Sequence, residues 1–216
     1  MKLKRKMIYS YLYTKKSYLA VVIFSLALSA CGSLIPDRIT SASDWQAGNE
    51  NDVSGFDSSG RLAIKDQGKG SYANFSWQNT GMVQTIEVKT PLGNSVGVLC
   101  TDSSGVIAED SKGQVITAAS IEELSQRMLG FELPFDHLNQ WVQGYWITGE
   151  PYQLLPDGKL KQSGWIIQRQ QQNGSRNPRI VLLNNARFNI RLVFDEYTDT
   201  DESPKSAQCE LRQRLS

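Results

Sequence analysis

Three cysteines and a single histidine carry most of the nucleophilic and proton-transfer potential of this 216-residue sequence. Cys31 closes the run Leu28-Ser29-Ala30-Cys31, which matches the bacterial lipobox. A thiol is the side chain able to take a thioether-linked diacylglycerol, and small residues before it let a peptidase reach the backbone. Upstream lie six basic residues (Lys2, Lys4, Arg5, Lys6, Lys15, Lys16), then 13 uncharged residues from Tyr18 to Ala30. That run is too short to span a bilayer and suits the apolar region of a signal peptide. Residues 1–30 therefore read as a lipoprotein signal peptide. Cys31 reads as the lipidated first residue of the mature chain, and a plain secretory signal with an incidental cysteine is the alternative.

Gly32 follows that cysteine, where bacterial lipoproteins kept in the inner membrane usually have Asp. The expected location is the outer membrane, lipid-anchored on its periplasmic side, with diacylglycerol and an N-acyl chain (palmitate) on Cys31 and no other cofactor or metal. Each buried methylene contributes about 0.8 kcal/mol, so two or three acyl chains anchor the protein permanently. Cys100 and Cys209 would meet an oxidising periplasm, and both a disulfide and two separate structural thiols are open. His137 lies beside Asp136 with no Ser or Cys motif near it, so it reads as a satisfied surface side chain. The pairs Glu122-Glu123 and Glu109-Asp110 read as solvated helix and turn charge. No metal spacing, phosphate loop or nucleophile elbow appears, which argues against an enzyme. Of 23 basic residues six lie in the first thirty, which leaves 17 against 22 acidic and a net charge of about −5. A mildly acidic domain has no general attraction for nucleic acid.

The elements that position these residues follow from apolar periodicity. Residues 31–58, rich in Ser, Asp, Asn and Gly, read as the lipidated cysteine and a tether, with a weak helix around Asp44–Asn51. From Gly60 a two-residue period dominates: Leu62 and Ile64, then Ala73, Phe75 and Trp77, Ile86 and Val88, Val96 and Val98. It resumes at Trp165 and Ile167, at Ile180 and Leu182, and along Phe188, Ile190, Leu192 and Phe194. Strict alternation means strands with one apolar face, and the turn signals between them suit an antiparallel meander. Ser120-Ile121-Glu122-Glu123 opens a helix with a capping box, and a second helix runs from Pro134 to Gly144 with Phe135, Leu138, Trp141 and Val142 on one stripe. The fold class is mainly β (α+β): a curved antiparallel sheet, an incomplete barrel, capped by two or three short helices. That arrangement either packs solid or encloses a hollow. The domain proper is expected over residues 59–197, with 198–216 a polar, frayed tail.

Four segments carry a family resemblance: Gly60-Arg61-Leu62-Ala63, Tyr72-Ala73-Asn74-Phe75-Ser76-Trp77-Gln78, Thr90-Pro91-Leu92-Gly93 and Leu138-Asn139-Gln140-Trp141-Val142-Gln143-Gly144. In order and spacing they resemble the LolB family of outer-membrane lipoprotein receptors, over most of residues 45–195. The resemblance implies a half-barrel around an apolar acyl-chain cavity. It also implies that such a protein accepts acylated lipoproteins from the periplasmic carrier LolA and inserts them into outer-membrane lipid without nucleotide. A three-chain cargo buries about 45 methylenes, so exposing it to water would cost about 35 kcal/mol. Direct transfer between cavities is the physical answer.

The expected cavity wall comprises Trp77, Ile86, Val88, Leu138, Trp141, Val142, Ile190 and Leu192, although the two tryptophans could equally be ordinary core. Pro91, Leu92 and Gly93 form the expected membrane-delivery loop. Pro at the second and Gly at the fourth place of Thr90–Gly93 suit a type I turn with Leu92 at its tip. Leu92 either folds back onto its own domain or, as the resemblance implies, protrudes to hand cargo to lipid. Asn74 and Ser76 stand where relatives carry Arg and a second aromatic, and Tyr145-Trp146-Ile147 replaces a Leu-Pro turn. These departures bear on cavity polarity and mouth shape. A lipid-anchored envelope scaffold or lipid-sensing module on the same fold is the other reading. A monomer is expected.

Overall fold

Alternating apolar side chains can be buried along a strand only if successive strands register their apolar faces on one side. The computed structural model, which describes residues 38–39, 44–48, 54–129, 134–200 and 207–215, shows this arrangement. The chain divides into two units at Pro36/Asp37, and the described residues all belong to the second. The signal peptide and Cys31 lie outside them.

Two short strands, β1 (Arg38–Ile39) and β2 (Gln46–Gly48), come first. A meander follows: β3 (Gly55–Asp66), β4 (Lys69–Asn79), β5 (Gln84–Lys89), β6 (Ser95–Asp102), β7 (Gly105–Asp110) and β8 (Val115–Ala118). Helices α1 (Ile121–Leu129) and α2 (Phe135–Gln143) interrupt it. Then come β9 (Tyr145–Ile147), β10 (Tyr152–Leu154), β11 (Leu160–Gln162), β12 (Trp165–Gln171), β13 (Pro178–Asn184), β14 (Phe188–Thr200) and a terminal helix α3 (Glu210–Leu215).

The last long strand returns beside the first. β14 pairs antiparallel with β3 along nearly its whole length, so the sheet order is β10-β11-β12-β13-β14-β3-β4-β5-β6-β7-β8, with β1 added on β12. β8 and β10 remain edges, and the sheet is not closed into a barrel. The register places the Gln67–Gly68, Thr90–Asn94 and Asn185–Arg187 hairpin tips at one end, where Phe188 opposes Asp66 and Asp66 opposes Lys69. Gly55, Asn79 and Thr200 meet at the other. β3 follows β14 closely because Gly60 has no Cβ: one there would collide with the Val193 carbonyl, beside the bulge at Phe194–Glu196.

The helix signals hold in detail. Ser120 Oγ accepts the Glu123 N–H at 3.2 Å, while Glu123 Oε2 accepts the Ala119 N–H at 2.9 Å, one residue upstream of the usual reciprocal bond. Glu122, read as solvated charge, instead accepts the Phe135 N–H at 3.2 Å and so caps α2 from α1. Gly144 ends α2 in the left-handed region at φ 92, donating to the Trp141 carbonyl.

Three expectations are corrected here. The weak helix around Asp44–Asn51 is replaced by β2, parallel to β9. Trp45 explains the difference: it is buried and donates Nε1–H to the Gly158 carbonyl at 3.0 Å, so this segment is packed and not a free tether. β3 likewise starts at Gly55, earlier than the expected domain boundary. The C-terminal stretch is also not a frayed tail. β14 continues to Thr200, and α3 is fastened to the outer face of β6 and β7 by a Cys100–Cys209 disulfide, 109 residues apart. Asp102 Oδ2 accepts both the Cys209 N–H at 2.9 Å and Arg212 Nε–H at 3.1 Å. Leu211 packs beside the disulfide and Ile107.

Candidate functional site

Between the inner face of the sheet and the two helices, packing leaves a hollow of about 280 Å³ with an apolar surface. β3 contributes Leu62 and Ile64, β4 Phe75 and Trp77, β5 Ile86 and Val88, β6 Leu99, and β14 Ile190 and Leu192. Trp165 of β12 and Leu183 of β13 close the opposite flank. The helices form the remaining wall through Ile121 and Leu124 of α1 and Phe135 and Leu138 of α2, with Ser125 and Pro134. The Ser125 hydroxyl is turned back onto the Glu122 carbonyl at 2.9 Å, so it offers no polar group to the hollow. An apolar space of this kind stays dry and takes hydrocarbon.

Six of the eight residues expected at the wall are there: Trp77, Ile86, Val88, Leu138, Ile190 and Leu192. Trp141 and Val142 are not. Both are fully buried, and Trp141 Nε1 donates to Gln162 Oε1 at 3.0 Å, while Gln162 Nε2 donates to the Ile147 carbonyl at 2.8 Å. The physical reason is the axis of α2. Its first turn, with Phe135 and Leu138, overhangs the hollow; each residue rises 1.5 Å, so its last turn has passed the rim and packs toward β9 and β11. Leu62, Ile64 and Phe75 were legible as inward positions by strand alternation but were not singled out, whereas Leu99 lies on the opposite parity to Val96 and Val98, the residues expected inward on β6; Leu99 lines the hollow and Val96 is exposed. Ile121, Leu124, Trp165 and Leu183 needed the tertiary fold.

Beyond the hollow the same inner face is solid. Phe56 stacks on Tyr197 at 4.9 Å between centroids and meets Trp77 edge-on at 5.0 Å; Phe75 meets Phe194 edge-on at 5.5 Å. Arg169 of β12 is fully buried there. Its Nε donates to the Val142 carbonyl at 2.9 Å and one Nη to the Arg176 carbonyl at 2.9 Å. Burial pulls the Arg169 guanidinium down to about 10, and burial also raises the Tyr197 hydroxyl far above the ordinary phenol. A cation at the carbonyl end of α2 is favourable to the helix dipole, and Gly144 leaves the space that the guanidinium fills.

The Thr90–Gly93 loop sits at the hairpin end, next to the hollow. The Gly93 N–H donates to the Thr90 carbonyl at 2.8 Å, and Gly93 takes φ 90, which glycine adopts without strain. The Asn94 N–H donates to Thr90 Oγ1 at 3.1 Å and stiffens the loop. Pro91 is exposed and Leu92 is 90% exposed, so Leu92 does not fold back onto its domain. His137, by contrast, is spoken for: its Nε2 lies 3.0 Å from Glu150 Oε1. Among the described residues no group of His, Cys, Asp and Glu is arranged to hold a metal ion.

The chain is thus an open antiparallel half-barrel with two helices over an apolar hollow. The comparisons name the family. A family model described as "Outer membrane lipoprotein LolB" matches residues 54–197. The outer-membrane lipoprotein LolB of Neisseria meningitidis is 43% identical over 187 residues, covering 87% of this chain and 94% of that one. The LolB of Chromobacterium violaceum is 30% identical over 146 residues, covering 66% and 79%. Among solved structures, a LolA superfamily protein from Nitrosomonas europaea aligns with a TM-score of 0.43 at 10% identity, covering 69% of this chain and 88% of that one. The chain belongs to the LolB family of outer-membrane lipoproteins.

Proposed function

We propose that this chain is the receptor that takes acylated lipoproteins from a LolA-type periplasmic carrier into its apolar hollow and inserts them into outer-membrane lipid. Cys31, carrying diacylglycerol and an N-acyl chain, holds it at that membrane, and the protein acts as a monomer without catalysis or cofactor. One observation carries the reading: a dry hydrocarbon-sized hollow and a fully presented leucine lie at the same end of one sheet.

The volumes set a constraint on mechanism. At roughly 30 Å³ per methylene-sized group, the space of one water in the liquid, a hollow of about 280 Å³ takes part of one acyl chain. Three chains need several times more. On this reading α1 and α2 move off the sheet to admit cargo, and the acyl chains take over the contacts now made by their wall residues Ile121, Leu124, Phe135 and Leu138. The exchange is between apolar partners, so its free-energy change is small in either direction, which suits a carrier that must also release. Leu92 then meets the bilayer. One inserted leucine contributes about 1.5–3 kcal/mol, enough to bring the hollow to lipid without holding it there.

The test is transfer from a loaded LolA–lipoprotein complex to the full chain and then to vesicles. Leu92→Glu is expected to accept cargo at the parent rate and to deliver it at least about tenfold more slowly, the rate cost of about 1.4 kcal/mol. Delivery at the parent rate would overturn the role of the loop. Failure of a lipopeptide to displace a fluorescent apolar probe from the unmodified chain would overturn the cavity reading.

A further inference from the structure

Leu92 is not the only apolar side chain presented at the hairpin end. Tyr72 of β4 is 70% exposed and Val96 of β6 is 47% exposed. The register explains why Tyr72 has no cover. The last β4–β5 pair is Asn74 with Lys89; beyond it β5 turns into the Thr90–Gly93 loop, while β4 runs on beside β3 alone. Tyr72 opposes Ala63, too small to shield an aromatic ring. Tyr72 lies two residues out from the Asn74–Lys89 pair, about 7 Å along β4, and Leu92 sits in the turn that follows Lys89. Both stand beyond that pair on neighbouring elements. The β3–β4 ribbon continues a further three residues, to a tip flanked by the exposed Lys65 and Lys69.

The hollow extends toward the same end. Ile64 and Val88 line it, and they directly precede Lys65 and Lys89 on their strands. A tyrosine with its ring in apolar surroundings and its hydroxyl in water is at home at a membrane interface. Lysines beside it are attracted to lipid phosphates. The apolar groups are single side chains on separate elements, bordered by lysines, which suits a lipid surface with its phosphates better than a fixed protein surface.

We infer that Tyr72, with Lys65 and Lys69, makes a second lipid contact beside Leu92, laying the β3–β4 ribbon in the headgroup layer and fixing the angle at which the hollow meets the membrane. This rests on the reading of Leu92 above. A single apolar point leaves the domain free to pivot; two points define a line, and the sheet can then tilt only about it.

The experiment uses the full acylated chain in vesicles of phosphatidylethanolamine and phosphatidylglycerol. With Cys31 acylated and Cys100–Cys209 oxidised, the thiol introduced by Tyr72→Cys, Leu92→Cys or Met82→Cys is the one open to an environment-sensitive dye. Met82 is exposed in the β4–β5 turn at the opposite end and serves as the reference. Lipids brominated on their acyl chains are expected to quench the labels at 72 and 92 at least about twofold more than the label at 82, given an interfacial residence. Lys65→Glu with Lys69→Glu should reduce quenching at 72. If the label at 92 responds and the label at 72 behaves like that at 82, the inference is overturned and the Leu92 reading stands. If neither responds, both fall. If the label at 72 responds only when a loaded carrier protein is added, the surface docks protein and the inference is overturned.

Discussion

The two ends of the inner face are made from the same strands and differ in what they enclose. Toward the hairpin tips, β3, β4, β5 and β14 turn Ile64, Phe75, Val88 and Ile190 inward around an empty space. Toward the other end the same strands and their neighbours turn in Phe56, Phe194, Tyr197, Asn79 and Arg169, all of them buried. Aliphatic side chains projecting from a curved sheet cannot meet at its centre unless something bulky or hydrogen-bonded crosses the gap. Rings stacked at about 5 Å and a guanidinium reaching two carbonyls do cross it. Stacked rings and a buried guanidinium fill one part of the inner face, while the rings that border the hollow, Phe75, Trp77, Phe135 and Trp165, stand in its wall and do not cross it.

This contrast can be broken by paired substitutions. The largest effect is expected for Ile167→Ala in β12, where the side chain is fully enclosed and outside the wall of the hollow: about 2–4 kcal/mol of unfolding free energy. Ile86→Ala in the wall of the hollow should cost about half as much, because that side chain already lacks partners on one side. Chemical denaturation of both variants measures the difference, and equal losses would mean that the hollow is filled in solution. The reverse experiment enlarges side chains. Val181→Phe, fully buried beside Arg169, should destabilise by about 1–3 kcal/mol. Val88→Phe should stay within about 1 kcal/mol of the parent and instead weaken binding of an apolar probe, because it occupies space that is free. The smallest effect lies on the outer face. Burial alone would raise the Asp102 carboxyl, but the Cys209 N–H and Arg212 outweigh it and hold it below the ordinary carboxylate range. Its contribution is present above the unfolded-state pKa and is lost as pH falls through the lower folded value. Acid unfolding curves of the parent and Asp102→Asn should therefore converge at low pH, with probe binding by the two proteins indistinguishable at neutral pH.

Alternation located the inward face of β3, β4, β5, β12 and β14, but took the wrong parity on β6 and β13, where Leu99 and Leu183 rather than Val98 and Leu182 line the hollow. Leu62, Ile64, Phe75, Trp77, Ile86, Val88, Ile190 and Leu192 share a face by counting, and they share it in the structure. The capping box and the Pro134–Gly144 helix were local signals and held to the residue or nearly so. Leu92 could be placed at a turn tip by Pro91 and Gly93, but only the absence of neighbours within the fold determines that it stands free. Trp141 and Val142 misled because helical periodicity specifies a face and not where along its axis the helix leaves a cavity. The segment around Trp45 misled because polar, glycine-rich composition resembles a tether. One buried indole with a hydrogen bond 113 residues away overrode it.

Sequence alone determined the alternation that makes a one-faced sheet, the helix ends, the lipobox at Cys31 and the family resemblance, since each depends on residues within a few positions of one another. Tertiary structure decided the rest: that β14 lies beside β3, that Cys100 meets Cys209, that α2 carries Trp141 past the rim, and that a hollow survives at one end. These depend on how curvature and side-chain volume balance across strands far apart in the chain, and volume in three dimensions is not a property that neighbouring residues can specify.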